Sequence, residues 1–220
     1  FVEAEPFGMM CGIKKEGFKG LHSIPWKYQC ENGIAVAAID EATGKLCGVF
    51  TAEDKYPKMG CCEDMSLTNK YISLVMEHQE FETMFTLVDE LNVPMVEEHA
   101  AIKKKYKTGK QGVMCHMVCV AVHKDFGRRG IGGHLTRLCM ENCKKQGYYI
   151  AYAECSSLYS TRALVKFGGV TEKTIDYKTY MTPGGCCSKP TAPLVDKVQE
   201  PHTCCNLVVF RLKDEIKKSA

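Results

Sequence analysis

A single α/β (α+β) domain is the fold class that the sequence predicts, and three observations carry the prediction. The 220 residues hold 45% apolar and 25% charged side chains, the balance of a globular chain able to bury one sizeable core. Short strand-like runs alternate with segments of helical periodicity along the whole length. One run, 114–122 (MCHMVCVAV), is apolar almost throughout, as a central strand covered on both faces must be.

The elements follow in order. Residues 34–40 form an apolar, β-capable run, Glu41-Ala42-Thr43-Gly44 a turn and 45–51 the returning strand, together a β-hairpin. Residues 66–91 have helical spacing, with Phe81, Met84, Phe85, Val88 and Leu91 on one face. Pro94 is expected to end that helix, since it lacks an N–H and clashes with the preceding turn. Lys103, Lys104, Lys105, Lys107 and Lys110 read as a solvated helix end and loop. After the 114–122 strand a helix is expected over 131–146, with Ile131, Leu135, Leu138 and Cys139 inward and Gly147 closing it. Strand 148–155, a short helix over 157–167 stopped by Gly168-Gly169, and strands at 170–180 and 205–212 complete the series. The stretch between the last two, 181–201, is rich in Pro, Gly and Cys and reads as a long loop.

Charge and composition exclude several functions. A net charge of +3 without a concentrated basic face argues against nucleic acid. No run is long and apolar enough to span a bilayer, and residues 1–14 lack the features of a signal peptide. A cytoplasmic protein, monomeric or homodimeric, is expected. The first residue is Phe1, not Met, so residues of the natural chain are expected before it. The fourteen cysteines include no C-x-x-C pair, which leaves a zinc ribbon or thioredoxin motif without an anchor. They read as reduced, buried thiols, the doublets Cys61-Cys62, Cys186-Cys187 and Cys204-Cys205 being harder to dismiss. No metal is expected.

The chemistry-bearing feature is an order of elements: buried strand, basic glycine-rich turn (HKDFGRRGIGG), helix. Backbone N–H groups of 128–133 would converge on one concavity at a helix N-terminus, which favours an anion such as a pyrophosphate. Glycine at 130, 132 and 133 lets the main chain approach phosphate oxygens. Arg128 and Arg129 add charge and directed donors. Gly133-His134-Leu135 fails the ending of a Walker A loop, and the third glycine of a dinucleotide fingerprint is absent.

The stretch VAVHKDFGRRGIGGHL resembles the acetyl-CoA signature Q/R-x-x-G-x-G/A of the GNAT acetyltransferase superfamily. Gly130 and Gly132 match its small positions, and Gly127 stands where Gln or Arg is usual. The resemblance covers residues 1–213 as a single domain, with 214–220 as a C-terminal tail. It implies a mixed, mostly antiparallel central sheet flanked by helices, with the first strand lying before Phe1. Two further segments look like the insect arylalkylamine (dopamine) N-acetyltransferases: Phe1-Val2-Glu3-Ala4-Glu5-Pro6-Phe7, and Cys155-Ser156-Ser157-Leu158-Tyr159-Ser160-Thr161-Arg162.

The resemblance implies Glu5 as general base through water, Ser156 and Ser160 as catalytic serines, and acetyl-CoA held by Val120, Ala121, Val122, Arg128, Arg129, Gly130, Ile131, Gly132 and Gly133. The substrate it implies is a small arylalkylamine, acetylated by direct attack in a ternary complex. A base is needed because a protonated amine cannot attack a thioester, and a strand N–H near Val120 suits the thioester carbonyl. Leu164 stands where many such enzymes carry a Tyr, so the group that protonates the leaving thiolate is open between the serines and Tyr159. No cysteine occupies a nucleophile position, so no acetyl-enzyme is expected. Ser156 and Ser157 also suit helix capping, and Tyr71, Phe81 and Phe85 suit either core packing or an aromatic pocket. His116 and His123 flank the central strand, and His202 reads as a packing residue. Polyamines, amino acids, protein N-termini or lysines are the rival substrates; a non-catalytic acyl-CoA-binding module is the rival outside enzymes.

Overall fold

The computed structural model of the protein describes residues 5–24, 26–56, 61–109, 111–182 and 191–213. The expectations for residues 1–4, for a strand before Phe1, for Lys110, for Cys186 and Cys187, and for the 214–220 tail lie outside the described residues, as do those for the side chains of Cys61 and Cys62. Among the described residues six strands form one sheet: β1 (Val36–Ile39), β2 (Leu46–Asp54), β3 (Met114–Val122), β4 (Ile150–Cys155), β5 (Val170–Asp176) and β6 (Cys204–Arg211), in the order β1-β2-β3-β4-β6-β5. Every pairing is antiparallel except β3 with β4. The helices are α1 (Pro6–Cys11), α2 (Lys15–Ser23), α3 (Trp26–Glu31), α4 (Cys61–Glu77), α5 (Phe81–Tyr106), α6 (Ile131–Lys145) and α7 (Leu158–Lys166).

The sheet is covered on both faces, as the apolar 114–122 run required. On β4, Ile150 and Tyr152 pack with α1 and α5 residues such as Phe7, Leu87, Leu91 and Met95. Ala151, Ala153 and Cys155 alternate to the opposite face, against Leu135, Cys139 and Cys143 of α6 and Leu164 of α7. A third cluster joins Phe18 of α2, Leu74 of α4 and Phe81 of α5. Cys47, Cys115, Cys139, Cys143, Cys155 and Cys205 are free and buried, the hydrophobe-like use expected of them, whereas Cys11, Cys119 and Cys204 are half-buried and Cys30 is exposed, against that expectation.

Two helix expectations are corrected. The 66–91 helix is two helices, α4 and α5, with a break at His78–Glu80, and α5 runs through Pro94 to Tyr106. Pro94 removes the N–H that would bond to the Glu90 carbonyl, and Lys173 Nζ on β5 donates to that oxygen at 2.6 Å instead. A tertiary contact thereby offsets the local penalty. On α6, Leu138 is 40% exposed, whereas Leu135, Thr136, Cys139, Met140 and Cys143 turn inward.

The strand pair β3–β4 is the feature that shapes the rest. It holds only from Met114–Ile150 to His116–Tyr152, after which the strands diverge. At the same point β3 bulges against β2: Thr51 faces Cys119 and Ala52 faces Met117, which leaves Val118 as the extra residue.

Candidate active site

Among the described residues, no strand pairs with the β4-facing edge of β3 beyond His116. Alternate backbone N–H and C=O groups there face open space. That space is a cavity of about 280 Å³, lined by residues 117–122 of β3, by Ala153, Glu154 and Cys155 of β4, and by Thr136, Ser156, Ser157, Ser160 and Leu164. Val120, Ala121 and Val122 of the sequence-derived set lie on this wall. Residues 128–133 do not line the cavity. They form the N-terminus of α6 beyond the end of β3, where a Cβ built on Gly132 would lie 3.7 Å from Val122.

The turn into α6 has an unusual backbone. Arg128 (φ 61) and Gly130 (φ 77) both adopt left-handed conformations. Gly130 is the N-cap of α6 and supplies no side-chain cap, and a Cβ built there would meet nothing within 4 Å, so no side chain of its own covers the first-turn amides. A cradle of this kind fits a pyrophosphate held by main-chain N–H groups. Arg129 is turned back on its own loop: its guanidinium lies 5.2 Å from the Phe126 ring and donates to the Asp125 carbonyl at 3.4 Å.

A second cavity of about 330 Å³ lies on the α1/α2/α4/α5 side of the sheet. Its walls include Phe7, Phe18, Leu21, Tyr71, Met84, Phe85 and Val88, with polar groups from Gln29, Glu53, His116, Glu154 and Ser156. Tyr71 and Phe85 therefore line it, while Phe81 is fully buried in the core. The two cavities share four lining residues, Glu5, Val118, Glu154 and Ser156. They meet where the strands part and the bulge re-aims Val118.

Glu5 sits at this junction with 8% of its surface exposed, so it is not a solvated surface carboxylate. It caps α1, accepting from the Phe7 N–H at 3.2 Å and from the Gly8 N–H. Gly8 is required here, because a Cβ would lie 2.0 Å from Phe18 Cζ and 2.7 Å from Glu5 Oε2.

The serines divide their work. Ser157, not Ser156, caps α7, accepting from the Ser160 N–H at 3.1 Å. Ser160 Oγ donates to the Ser157 carbonyl at 2.9 Å and lines only the first cavity. Ser156 lines both, and its carbonyl accepts from the Tyr177 hydroxyl at 2.9 Å. Tyr159 is 64% exposed, its ring packed edge-on against His202, away from either cavity. His202 Nδ1 accepts from the Leu158 N–H at 3.3 Å, a capping contact consistent with a packing residue. His123 accepts from the Asp125 N–H and is likewise structural. The two cysteines on the first cavity wall, Cys119 and Cys155, have thiols pushed up to about 12 by burial. They are poor nucleophiles, since the thiolate is the reactive form.

Sequence reasoning missed a polar row crossing three strands. Glu53 on β2, His116 on β3 and Glu154 on β4 face one another: His116 Nε2 lies 2.7 Å from Glu154 Oε2, and His116 Nδ1 lies 3.6 Å from Glu53 Oε1. Asn92 donates to the other Glu154 oxygen, and Gln29 Nε2 donates to Glu53 Oε2 at 3.0 Å. Burial alone would push His116 down, but the two carboxylates hold it up at about 9. Burial alone would raise Glu154, yet His116 and Asn92 hold it down at about 2. His116 is thus a satisfied histidine and a cavity wall at once. The available signal was Glu154, the one charged residue in an otherwise apolar 148–155 strand.

Residues 16–168 match the sequence profile of the acetyltransferase (GNAT) family. The chain belongs to that family. GNAT enzymes are acyltransferases that use acetyl-CoA. Among curated proteins no sequence relative matches. Arylalkylamine N-acetyltransferase 2 from Aedes aegypti is similar in structure with a TM-score of 0.71 at 16% identity, over 97% of this chain and 89% of that one. The C-terminal condensation domain of Ebony, solved with β-alanyl-dopamine, gives 0.68 at 9% identity over 96% and 88%. The Drosophila melanogaster polyamine N-acetyltransferase gives 0.56 at 16% over 84% and 79%. At these identities the likeness is one of fold. The mixed, mostly antiparallel sheet with flanking helices is the GNAT fold that the sequence resemblance implied. Among the described residues no group of His, Cys, Asp and Glu is arranged to hold a metal ion, and no helix is long and apolar enough to cross a membrane.

Proposed function

We propose that this GNAT enzyme transfers the acetyl group of acetyl-CoA to a small primary amine of the arylalkylamine type, in the cytoplasm. One observation carries the reading: an apolar, aromatic-walled cavity meets the strand-splay cavity at a shared, buried carboxylate, Glu5. Acetyl-CoA, as co-substrate, would lay its pyrophosphate on the 128–133 turn and its thioester along Val120, Ala121 and Val122. The arylalkyl group would occupy the second cavity, among Phe18, Tyr71, Met84 and Phe85.

The chemistry then follows from position. The amine arrives as an ammonium, and Glu5 takes a proton from it, directly or through a water, which frees the nitrogen lone pair. The nitrogen attacks the thioester carbon, and the developing oxyanion is met by a β3 N–H near Val120. The first proton passes from Glu5 to solvent; the C–S bond then breaks with its electron pair going to sulfur, and the second proton, lost from nitrogen as the amide forms, ends on that sulfur as the CoA thiol. Ser156 and Ser160, which line the wall of the first cavity, would hydrogen-bond the thiolate, and the outward position of Tyr159 speaks against a role for it. Direct transfer is supported by the burial of Cys119 and Cys155 on that wall, which favours their thiol form.

A thiol-release assay with a panel of amines tests the reading. Turnover is expected for tyramine, dopamine, serotonin or octopamine with acetyl-CoA. Acetyl-CoA hydrolysis no faster with these amines than without them would refute it.

A further inference from the structure

We infer that Glu53 is a specificity-determining acceptor in the second cavity, selecting amines that carry a hydrogen-bond donor group remote from the reacting nitrogen. The inference rests on the reading that this cavity takes the amine substrate.

The argument begins with position. Of the three carboxylates that line the second cavity, Glu5 and Glu154 also line the first and so mark the reacting end. Glu53 lines only the second. It shares its part of the cavity with Tyr71, whose phenol is pushed up to about 12 by burial and then by the Glu53 charge.

Partner accounting comes next. The His116 imidazole lies between two carboxylates and is hydrogen-bonded to Glu154, at 2.7 Å with Asn92 completing that group, while Glu53 holds it only as the longer ion pair. Glu53 retains Gln29 on one oxygen, while its other oxygen faces His116 Nδ1 at 3.6 Å, longer than a hydrogen bond. Among the described residues, no Lys or Arg lines this cavity, and His22, which does, is held below its ordinary pKa by burial despite the Glu53 charge, so it does not balance that charge as a cation. The Glu53 side chain keeps 22% of its surface exposed, so a ligand that fills the cavity beside Tyr71, Phe85 and Phe18 displaces solvent from it and must donate a hydrogen bond in return. The fitting ligand group is a phenolic hydroxyl or a second ammonium, both donors to a carboxylate.

Two matched pairs of amines, each differing only in the remote donor, separate these sources: tyramine against phenethylamine, and 1,7-diaminoheptane against heptylamine. The wild-type enzyme is expected to favour the donor-bearing member of at least one pair by about tenfold in kcat/KM, the size of a hydrogen bond to a charged group. Glu53→Leu should bring that ratio to about one, with the loss falling in the KM of the donor-bearing amine. Should the leucine variant fail to fold, Glu53→Gln keeps the shape and removes the charge. It should lower the phenol ratio about threefold and the diamine ratio by more, since only the second ammonium depends wholly on charge. Equal kcat/KM within both pairs for the wild type, or a ratio unchanged in both variants, overturns the inference and leaves the transferase reading standing. A uniform loss across all four amines makes Glu53 structural and overturns it too. No turnover of any amine overturns the inference together with the reading beneath it.

Discussion

The two cavities that meet at Glu5 are built from different materials. The strand-splay cavity and the α6 turn present main chain: the unpaired edge of β3 and the first-turn amides of a helix. The second cavity presents side chains from α1, α2, α3, α4, α5 and four strands. A backbone site depends on where strands and turns go, so a common cofactor can be held while side chains drift. A side-chain site depends on the identity of each wall residue, so it is where substrate preference can change without disturbing the fold. Glu5 belongs to both, its carboxylate fixed by α1 amides and its position shared by the two walls.

Four substitutions break or sharpen that contrast. The largest effect is expected at the shared residue: Glu5→Gln should lower kcat by about 10²- to 10⁴-fold, the usual contribution of a positioned base. Acetyl-CoA affinity, read by calorimetry, should change little; an unchanged rate would remove Glu5 from the mechanism. On the main-chain side, Gly130→Val forces a β-branched residue to φ 77. It should raise the KM for acetyl-CoA about tenfold and leave amine KM nearly unaltered, since left-handed backbone costs such a residue about 1–2 kcal/mol.

On the side-chain side, the His116–Glu154 pair makes stability depend on pH. His116 has a folded pKa raised to about 9, so its contribution is complete below the unfolded value of 6.5 and is lost as pH rises through 9. Glu154 is depressed to about 2, so its contribution is present above its ordinary 4.5 and is lost as pH falls through 2. Thermal unfolding of the wild type should therefore move to lower temperature between pH 6.5 and 9.5. In His116→Phe that alkaline decline should shrink; an identical slope in both proteins would break the pairing. The smallest effect lies away from both cavities. Lys173→Met leaves the Glu90 carbonyl beside Pro94 without its donor and should cost about 1 kcal/mol in denaturant unfolding with kcat unaltered.

The main-chain site was legible in the sequence because its signals are local. Gly130, Gly132 and Gly133 after an apolar run announce a strand, a turn and a helix within twenty residues, whereas Val120, Ala121 and Val122 came only with the family resemblance. Element boundaries were legible wherever a local stop signal was left unopposed, as at Gly147 and Gly168. Pro94 misled because its stop was answered by Lys173, distant in sequence. Leu138 misled because α6 presents Thr136 and Met140 inward, a rotation that only the packed sheet fixes.

The second cavity was not legible as a unit. Tyr71 and Phe85 were visible as aromatic candidates, but Glu53, Gln29 and Glu154 carry no motif. Their meaning comes from β2, β3 and β4 lying side by side, which sets Glu53, His116 and Glu154 in one row. Short-range pattern, written in φ preferences and apolar periodicity, determined the order of elements, the buried middle strand and the glycine turn. The parting of β3 from β4, the bulge at Val118 and the company kept by each carboxylate were decided only on folding, because long-range packing fixes strand register and brings remote charges within a few ångströms of one another.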